Sequence, residues 1–409
     1  MKVSVSDPPE KTPNAQLHNS QFGSWRLGAW ELLVSPWPVA AIAVAYLAAH
    51  LPYLAPSLED IDSINFALGL RDFDPARHQP HPPGSPVYIA IGRALLVPVS
   101  SAWPSLSRTA AEALTLGIWS VVAGASATLA VARMLTEAAP HSRAVALWAT
   151  ALMAASPLFW LSGLRPMSDL PGLASALVAQ VLILQGRSDR VRLIQGALVS
   201  GLAAGIRVQT AWLTIPLLGL ALVRQRGAGT RWLLTRPIAA LAAGGLIWAV
   251  PLVADSGGVA GYLRALGTQA GEDFAWVNML WLEPTPRRLA FALYETFILP
   301  WGALPLAAAI AAAAAVGSVV MVLRERSTLA VLLVAFGPYA AFHLLFQETL
   351  TVRYALPTLP LVAWLAARGL TAAGRFTNVG ATLVIAGALI VSVPVGLAYG
   401  RDAHPAFRA

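Results

Sequence analysis

The chain has 409 residues, 57% of them hydrophobic and only 12% charged, with a mean hydropathy of +0.63. That balance excludes an ordinary soluble domain, and long runs rich in Ala, Leu and Val exclude the short alternating strands of a β-barrel, which leaves an all-α polytopic membrane protein. The net charge of +8 comes from arginines scattered between apolar segments, the pattern of positive-inside loops rather than of a nucleic-acid surface. The absence of cysteine removes disulfides, thiolate catalysis and thiolate metal sites.

Residues 1–30 are polar, rich in Pro, Ser and Asn and without a signal-peptide pattern, so they are expected as a disordered cytoplasmic tail. Lysine is confined to Lys2 and Lys11; with abundant alanine this suggests a GC-rich bacterial source, and hence the bacterial inner membrane. Apolar segments follow at about 32–52, 86–99, 110–134, 144–163, 170–185, 193–223, 237–254, 289–323, 329–346, 354–367 and 378–399. A span needs about 20 apolar residues, so most qualify, while 86–99 is short and 193–223 long. The reading is a bundle of about 10–12 transmembrane or membrane-embedded helices, with short interfacial helices in the first polar loop. It divides into a module over 31–225 that includes loop 53–85, a region over 226–400 that includes loop 255–288, and a tail at 401–409.

Arginine placement orients the bundle. The loops with Arg133/Arg143, Arg187/Arg190/Arg192, Arg224/Arg226/Arg231/Arg236, Arg324/Arg326 and Arg368/Arg375 are expected in the cytoplasm with the N-terminus. This requires 193–223 to enter and leave on one side, turning near Gly205–Gln209, and 86–99 to dip or lie along the interface. Loop 59–84, Arg165–Asp169, Arg207, loop 255–288 and Gln347–Arg353 then share the outer face, where one site is the economical reading. Trp276 and Trp281 read as interface-belt residues.

The first polar interruption packs Glu59, Asp60, Asp62, His78 and His81 into a chain with only 20 acidic residues. Two readings stand for the carboxylates: a helix start capped by Asp60 or Asp62, or a general base whose basicity rises as it leaves water. His78 and His81, broken by Pro80, make a poor metal pair; they suit hydrogen bonding to a phosphate oxygen, or simply a stiff loop. In Arg165-Pro166-Met167-Ser168-Asp169, either Ser168 or Asp169 caps the next helix, or Asp169 orients a cation or a sugar hydroxyl. Arg207 lies in an apolar stretch, which is costly unless it meets water, a carboxylate or a phosphate. Arg353, followed by Tyr354, either snorkels to the interface or uses its planar fork on a phosphate. Phosphate-loop, dinucleotide, serine-elbow and His-Glu-x-x-His motifs are absent, which argues against those chemistries.

At these residues the chain resembles the GT-C class of integral-membrane glycosyltransferases, in the branch of glycosyltransferase family 39 with protein O-mannosyltransferases and the lipid A aminoarabinose transferase. That family carries Asp-Glu-x-x-Tyr/Phe-Ala in its first outer loop, matched by Asp62-Ser63-Ile64-Asn65-Phe66-Ala67, and then His/Lys-Pro-Pro, matched by His81-Pro82-Pro83. A later Asp opening a span matches Asp169, and Arg-Tyr-x-Leu-Pro matches Arg353-Tyr354-Ala355-Leu356-Pro357. The register covers roughly residues 30–225, and beyond that only the Arg-Tyr element supports it. Ser63 stands where the family has Glu, so the paired carboxylate, and with it any requirement for a divalent metal, is in doubt.

The resemblance implies inverting transfer of a sugar from a polyprenyl-phosphate donor to an acceptor hydroxyl of a glycolipid, polysaccharide or protein on the outer face. Asp62 would be the catalytic base with Asp60 as a second carboxylate; Glu59, His78, His81, Arg165, Asp169, Arg207, Arg353 and Tyr354 would bind substrate. No cofactor is implied beyond that possible metal, and the partners are membrane lipids and substrates rather than nucleic acid. The competing reading is a transporter or flippase of a lipid-linked or anionic solute, for which no internal repeat is visible.

Overall fold

The structure is a computed structural model that describes residues 37–54, 57–225, 232–276 and 279–401, with the side chains of 225, 232, 233 and 272–276 left aside. The expected N-terminal tail, Arg226, Arg231, the Trp276 side chain and all of the C-terminal tail after Arg401 lie outside the described residues.

Among the described residues the chain forms sixteen α-helices and no strand. In order they are α1 (Trp37–His50), α2 (Ile61–Arg71), α3 (Pro86–Ala102), α4 (Arg108–Ala138), α5 (Arg143–Ala155), α6 (Pro157–Leu164), α7 (Asp169–Gln185) and α8 (Arg190–Ile206). There follow α9 (Ala211–Gln225), α10 (Trp232–Asp255), α11 (Gly258–Trp276), α12 (Pro286–Phe297), α13 (Leu304–Arg324), α14 (Arg326–Phe346), α15 (Leu359–Thr371) and α16 (Thr377–Arg401). Five helical stretches are long and apolar enough to cross a membrane: Arg108–Ala138, Leu234–Asp255, Leu304–Arg324, Arg326–Phe346 and Gly374–Arg401. The pair α5 and α6 makes a sixth if its 56° bend lies within one span. The chain is an all-α polytopic membrane protein.

The breaks have local causes. Ser156 leaves the helical region at ψ 140 and caps α6 through Phe159, while Pro157, which has no N–H to lose, opens it. The apolar run at 289–323 is two helices rather than one, because Pro300 and the left-handed Gly302 (φ 72) interpose a turn over Leu299–Trp301. The long run at 193–223 turns back at Arg207, whose extended backbone (φ −153, ψ 115) separates α8 from α9.

Contacts at the helix ends sort the loops. Gln185 at the end of α7 donates to Glu137 at the end of α4, and Arg368 of α15 donates to Glu325 between α13 and α14. The start of α4 meets the end of α2 through Arg71 and Glu112, and the start of α7 meets the segment that follows α14 through Asp169 and Arg353. The basic loops therefore gather at one end of the bundle and α2 at the other. Both ends of α3 join elements at the α2 end, and its Arg93 donates to the carbonyls of Gly69 and Leu70, so α3 is tied to that end of the bundle.

The interior is held by close backbone approach and few polar staples. A Cβ placed on Gly317 of α13 would sit 1.9 Å from the Leu365 carbonyl, and one on Gly369 of α15 1.8 Å from that of Ala313. Only glycine permits this crossing, the small-residue contact by which helices associate in lipid. Gln180 ties three helices by donating to Leu213 O (2.8 Å) and Ala335 O (3.1 Å).

Candidate active site

The α2 end of the bundle contains a cavity of about 930 Å³ with a polar and an apolar side. Residues from loop 59–81, the α6–α7 turn and segment 348–354 form the polar side, and α6, the Leu299–Trp301 turn and α16 the apolar one.

The polar side begins with the α2 helix start. The Asp60 carboxylate accepts from Asp62 N (2.9 Å), and Ser63 Oγ accepts from Asp60 N (3.1 Å) and donates to Asp60 O (2.6 Å). This is a capping box in which Ser63 takes the reciprocal role of the usual Glu or Gln. Asp60 is thus the cap, and Asp62, one turn position further, is free to point into the cavity. Arg165 closes the outer edge by donating to Glu59 Oε1 (2.5 Å) and Asp60 Oδ2 (2.9 Å).

Asp62 receives His81 Nε2 on one oxygen (2.9 Å) and Arg353 Nη2 on the other. His81 Nδ1 faces the Pro82 carbonyl at 2.8 Å. Both ring nitrogens therefore meet acceptors, so whichever carries the proton has a partner, and Nε2 is placed to donate to Asp62. Burial alone would raise the Asp62 carboxyl, but the hydrogen bond from His81 and the charges of Arg353 and His81 outweigh it and hold the group well below the usual carboxylate range.

Arg353 is the hub. Its Nη2 donates to Asp62 while its Nη1 donates to Asp169 (3.4 Å), and its guanidinium lies 4.9 Å from the Tyr354 ring centroid. Burial works against its charge, but Asp169, Tyr354 and Asp62 around it more than offset this and raise its pKa. Asp169 also holds Arg207 (3.2 Å), which donates to Ser168 Oγ and lies 5.3 Å from the Tyr354 ring centroid. Asp62, Arg353, Asp169 and Arg207 form one alternating chain of charge. Ser168 makes no cap to α7; its hydroxyl serves Arg207 instead. The Tyr354 carbonyl is fixed from behind by the Tyr339 hydroxyl (2.9 Å).

All ten residues singled out from the sequence meet around this cavity. Eight line it; Asp169 and Arg207 stand behind Arg353 and Tyr354. His78 lines it from the left-handed turn after Pro75–Arg77 (φ 58). The sequence reading did not single out Asn65, Gln269, Glu348 or Tyr399, which also line the wall. Asn65 had a signal, since it follows Asp62 by three residues in one helix and shares its face. Among the described residues, no three His, Asp or Glu side chains are grouped to hold a metal ion. Glu59, Asp60 and Asp62 are each occupied by a cationic side chain, so the donor set does not fit a divalent metal as it stands.

The fold and cavity define a helical membrane protein with a chamber of charged and apolar lining at one end of its bundle. No family model matches the chain, and no curated protein matches it. Its fold is similar to that of solved structures of the oligosaccharyltransferase of Archaeoglobus fulgidus. The complex with Zn and sulfate matches with TM-score 0.52 and 15% identity, over 90% of this chain and 53% of that one. The form tethered with an acceptor peptide containing the NVT sequon matches with TM-score 0.53 and 13% identity, over 93% and 56%. The complex of the same archaeal enzyme, AglB, with an inhibitory peptide and a dolichol-phosphate matches with TM-score 0.52 and 13% identity, over 91% and 56%. The chain thus spans little more than half the length of the proteins whose fold it shares.

Proposed function

We propose that the chain is a GT-C glycosyltransferase, of the kind represented by glycosyltransferase family 39, that moves a sugar from a polyprenyl-phosphate donor to an acceptor hydroxyl. The reaction takes place at the α2 end of the bundle, on the outer face of the bacterial inner membrane. The observation that carries this reading is Arg353, held between Asp62 and Asp169 in the wall of a cavity that also has an apolar lining. A lipid phosphate needs a cationic socket beside an apolar trough, and a hydroxyl acceptor needs a carboxylate next to that socket. The fold shared with an enzyme solved with a dolichol-phosphate supports the same donor chemistry.

In this reading the acceptor oxygen attacks the anomeric carbon from the face opposite the phosphate. The new C–O bond forms as the bond to the phosphate oxygen breaks, with inversion, and the acceptor proton passes to Asp62. The electron pair stays on the lipid phosphate, whose charge is taken up by Arg353, with Arg207 adding positive charge from behind it. Paired with Arg353, Asp62 is a weak base. A donor phosphate competes for the same guanidinium, and as Arg353 turns to it the carboxylate regains basicity. Donor binding thereby activates the base, so the donor binds before the acceptor is deprotonated.

The test is reconstitution of the full chain in vesicles loaded with sugar-labelled polyprenyl-phosphate donor. The expected result is release of polyprenyl phosphate and appearance of label in a new glycosidic product. Label that crosses the bilayer with its phosphate bond intact would replace this reading with that of a lipid-linked-solute transporter.

A further inference from the structure

The opposite end of the bundle carries a second, smaller cleft, of about 230 Å³, where the last turns of α7 and α9 meet. Its floor is apolar, with Ile183, Leu184 and Leu217 buried and Leu220 partly so. Arg187, just past α7, and Arg224, in the last turn of α9, form its exposed mouth. Neither side chain has a hydrogen bond or ion pair among the described residues. The carboxylate facing them, Glu137, is engaged by Arg133 (2.7 Å) and by the Gln185 amide (3.1 Å). Burial and the neighbouring Arg224 lower the pKa of Arg187, and Glu137 only partly offsets them.

The depth of the cleft identifies the missing anion. Helix α7 has 17 residues, so its end lies roughly 25 Å from Asp169 at the catalytic cavity. That is close to the thickness of a bilayer hydrocarbon core, about 30 Å, and places the arginine pair at the headgroup level of the opposite leaflet. A planar guanidinium pair at that depth, above an apolar floor, suits a phosphodiester with a chain attached.

We propose that this cleft binds one anionic phospholipid of the leaflet opposite the catalytic cavity, with its phosphate between Arg187 and Arg224 and an acyl chain against Leu184, Leu217 and Leu220. The bound lipid clamps α7 to α9, the two helices whose other ends carry Asp169 and follow Arg207. It has no part in the transfer chemistry, and the assignment is independent of the proposed function.

Native mass spectrometry of the full chain in detergent, titrated with phosphatidylglycerol or phosphatidylcholine, tests this. One phosphatidylglycerol is expected to be retained about tenfold or more in preference to phosphatidylcholine. Arg187→Gln/Arg224→Gln removes that preference, and so does Leu220→Trp, which fills the cleft but keeps both arginines. Arg190→Gln/Arg192→Gln removes as many charges from the same end of the bundle and leaves the preference intact. Equal loss in both arginine pairs would reduce the effect to diffuse surface charge and overturn the site. The proposal also falls if the wild type shows no preference, or if glycerol phosphate displaces the lipid as readily as a whole phospholipid does.

Discussion

Asp62 is shaped by its neighbours more than by its own position in the sequence. Its two oxygens are divided between His81 and Arg353, and Arg353 is in turn divided between Asp62 and Asp169. Lysine at 353 keeps the charge but not the fork that reaches both carboxylates. Arg353→Lys is therefore expected to lower transfer about tenfold to a hundredfold, read as initial rate at matched expression. The pH dependence of stability follows from the same contacts. Asp62 has a folded pKa below its unfolded value of about 3.9, so its contribution is present above that value and lost as pH falls toward the folded one. In Asp62→Asn this component is gone, and the melting temperature of the variant is expected to fall less than that of wild type between about pH 5 and pH 3. Asp62, Asp169, Arg207 and Arg353 were legible in the sequence because a charge in an apolar chain is expensive and must have company. Their pairing was not, since Asp62 and Arg353 are 291 residues apart and nothing local links them. Tyr399 and Gln269 are illegible for another reason: an isolated Tyr near a helix end or an isolated Gln within a helix reads as an ordinary interfacial residue.

At the scale of elements, Ser63, which stands where the glycosyltransferase pattern the sequence resembles has Glu, has a structural account. Ser63 is buried and completes the capping box that fixes the α2 start and so aims Asp62. Ser63→Ala should cost about 1 kcal/mol of stability, measured by thermal unfolding in detergent, and reduce activity only as far as α2 frays. The Gly317–Gly369 crossing has no such tolerance. Gly369→Leu drives a side chain into the Ala313 carbonyl and is expected to lower the melting temperature more than Ser63→Ala does. Helix existence was readable from hydropathy, and the turn at Arg207 from the excess length of 193–223. The break in 289–323 was passed over because Pro300 and Gly302 lie within an apolar run whose composition dominates the reading.

For the whole molecule, the described parts of the loops with Arg187, Arg224, Arg324/Arg326 and Arg368 lie at the end of the bundle opposite the cavity, and under the positive-inside rule the proposed function expects the cavity outside the cell. A chain without cysteine allows a direct check. Glu283→Cys, beside the backbone contact of Trp281 with Leu345, should react with a membrane-impermeant maleimide on intact cells; Arg326→Cys should react only after permeabilisation. The reverse pattern would place the cavity in the cytoplasm.

The central claim is that Asp62 takes the acceptor proton beside a phosphate held by Arg353. It is tested most directly by comparing wild type with Asp62→Asn, at matched expression, for both binding and transfer of a radiolabelled polyprenyl-phosphate sugar. The account predicts that Asp62→Asn still binds the donor, because Arg353 and Arg207 remain, while transfer falls by about a hundredfold or more. A folded Asp62→Asn protein that transfers label at the wild-type rate would contradict it.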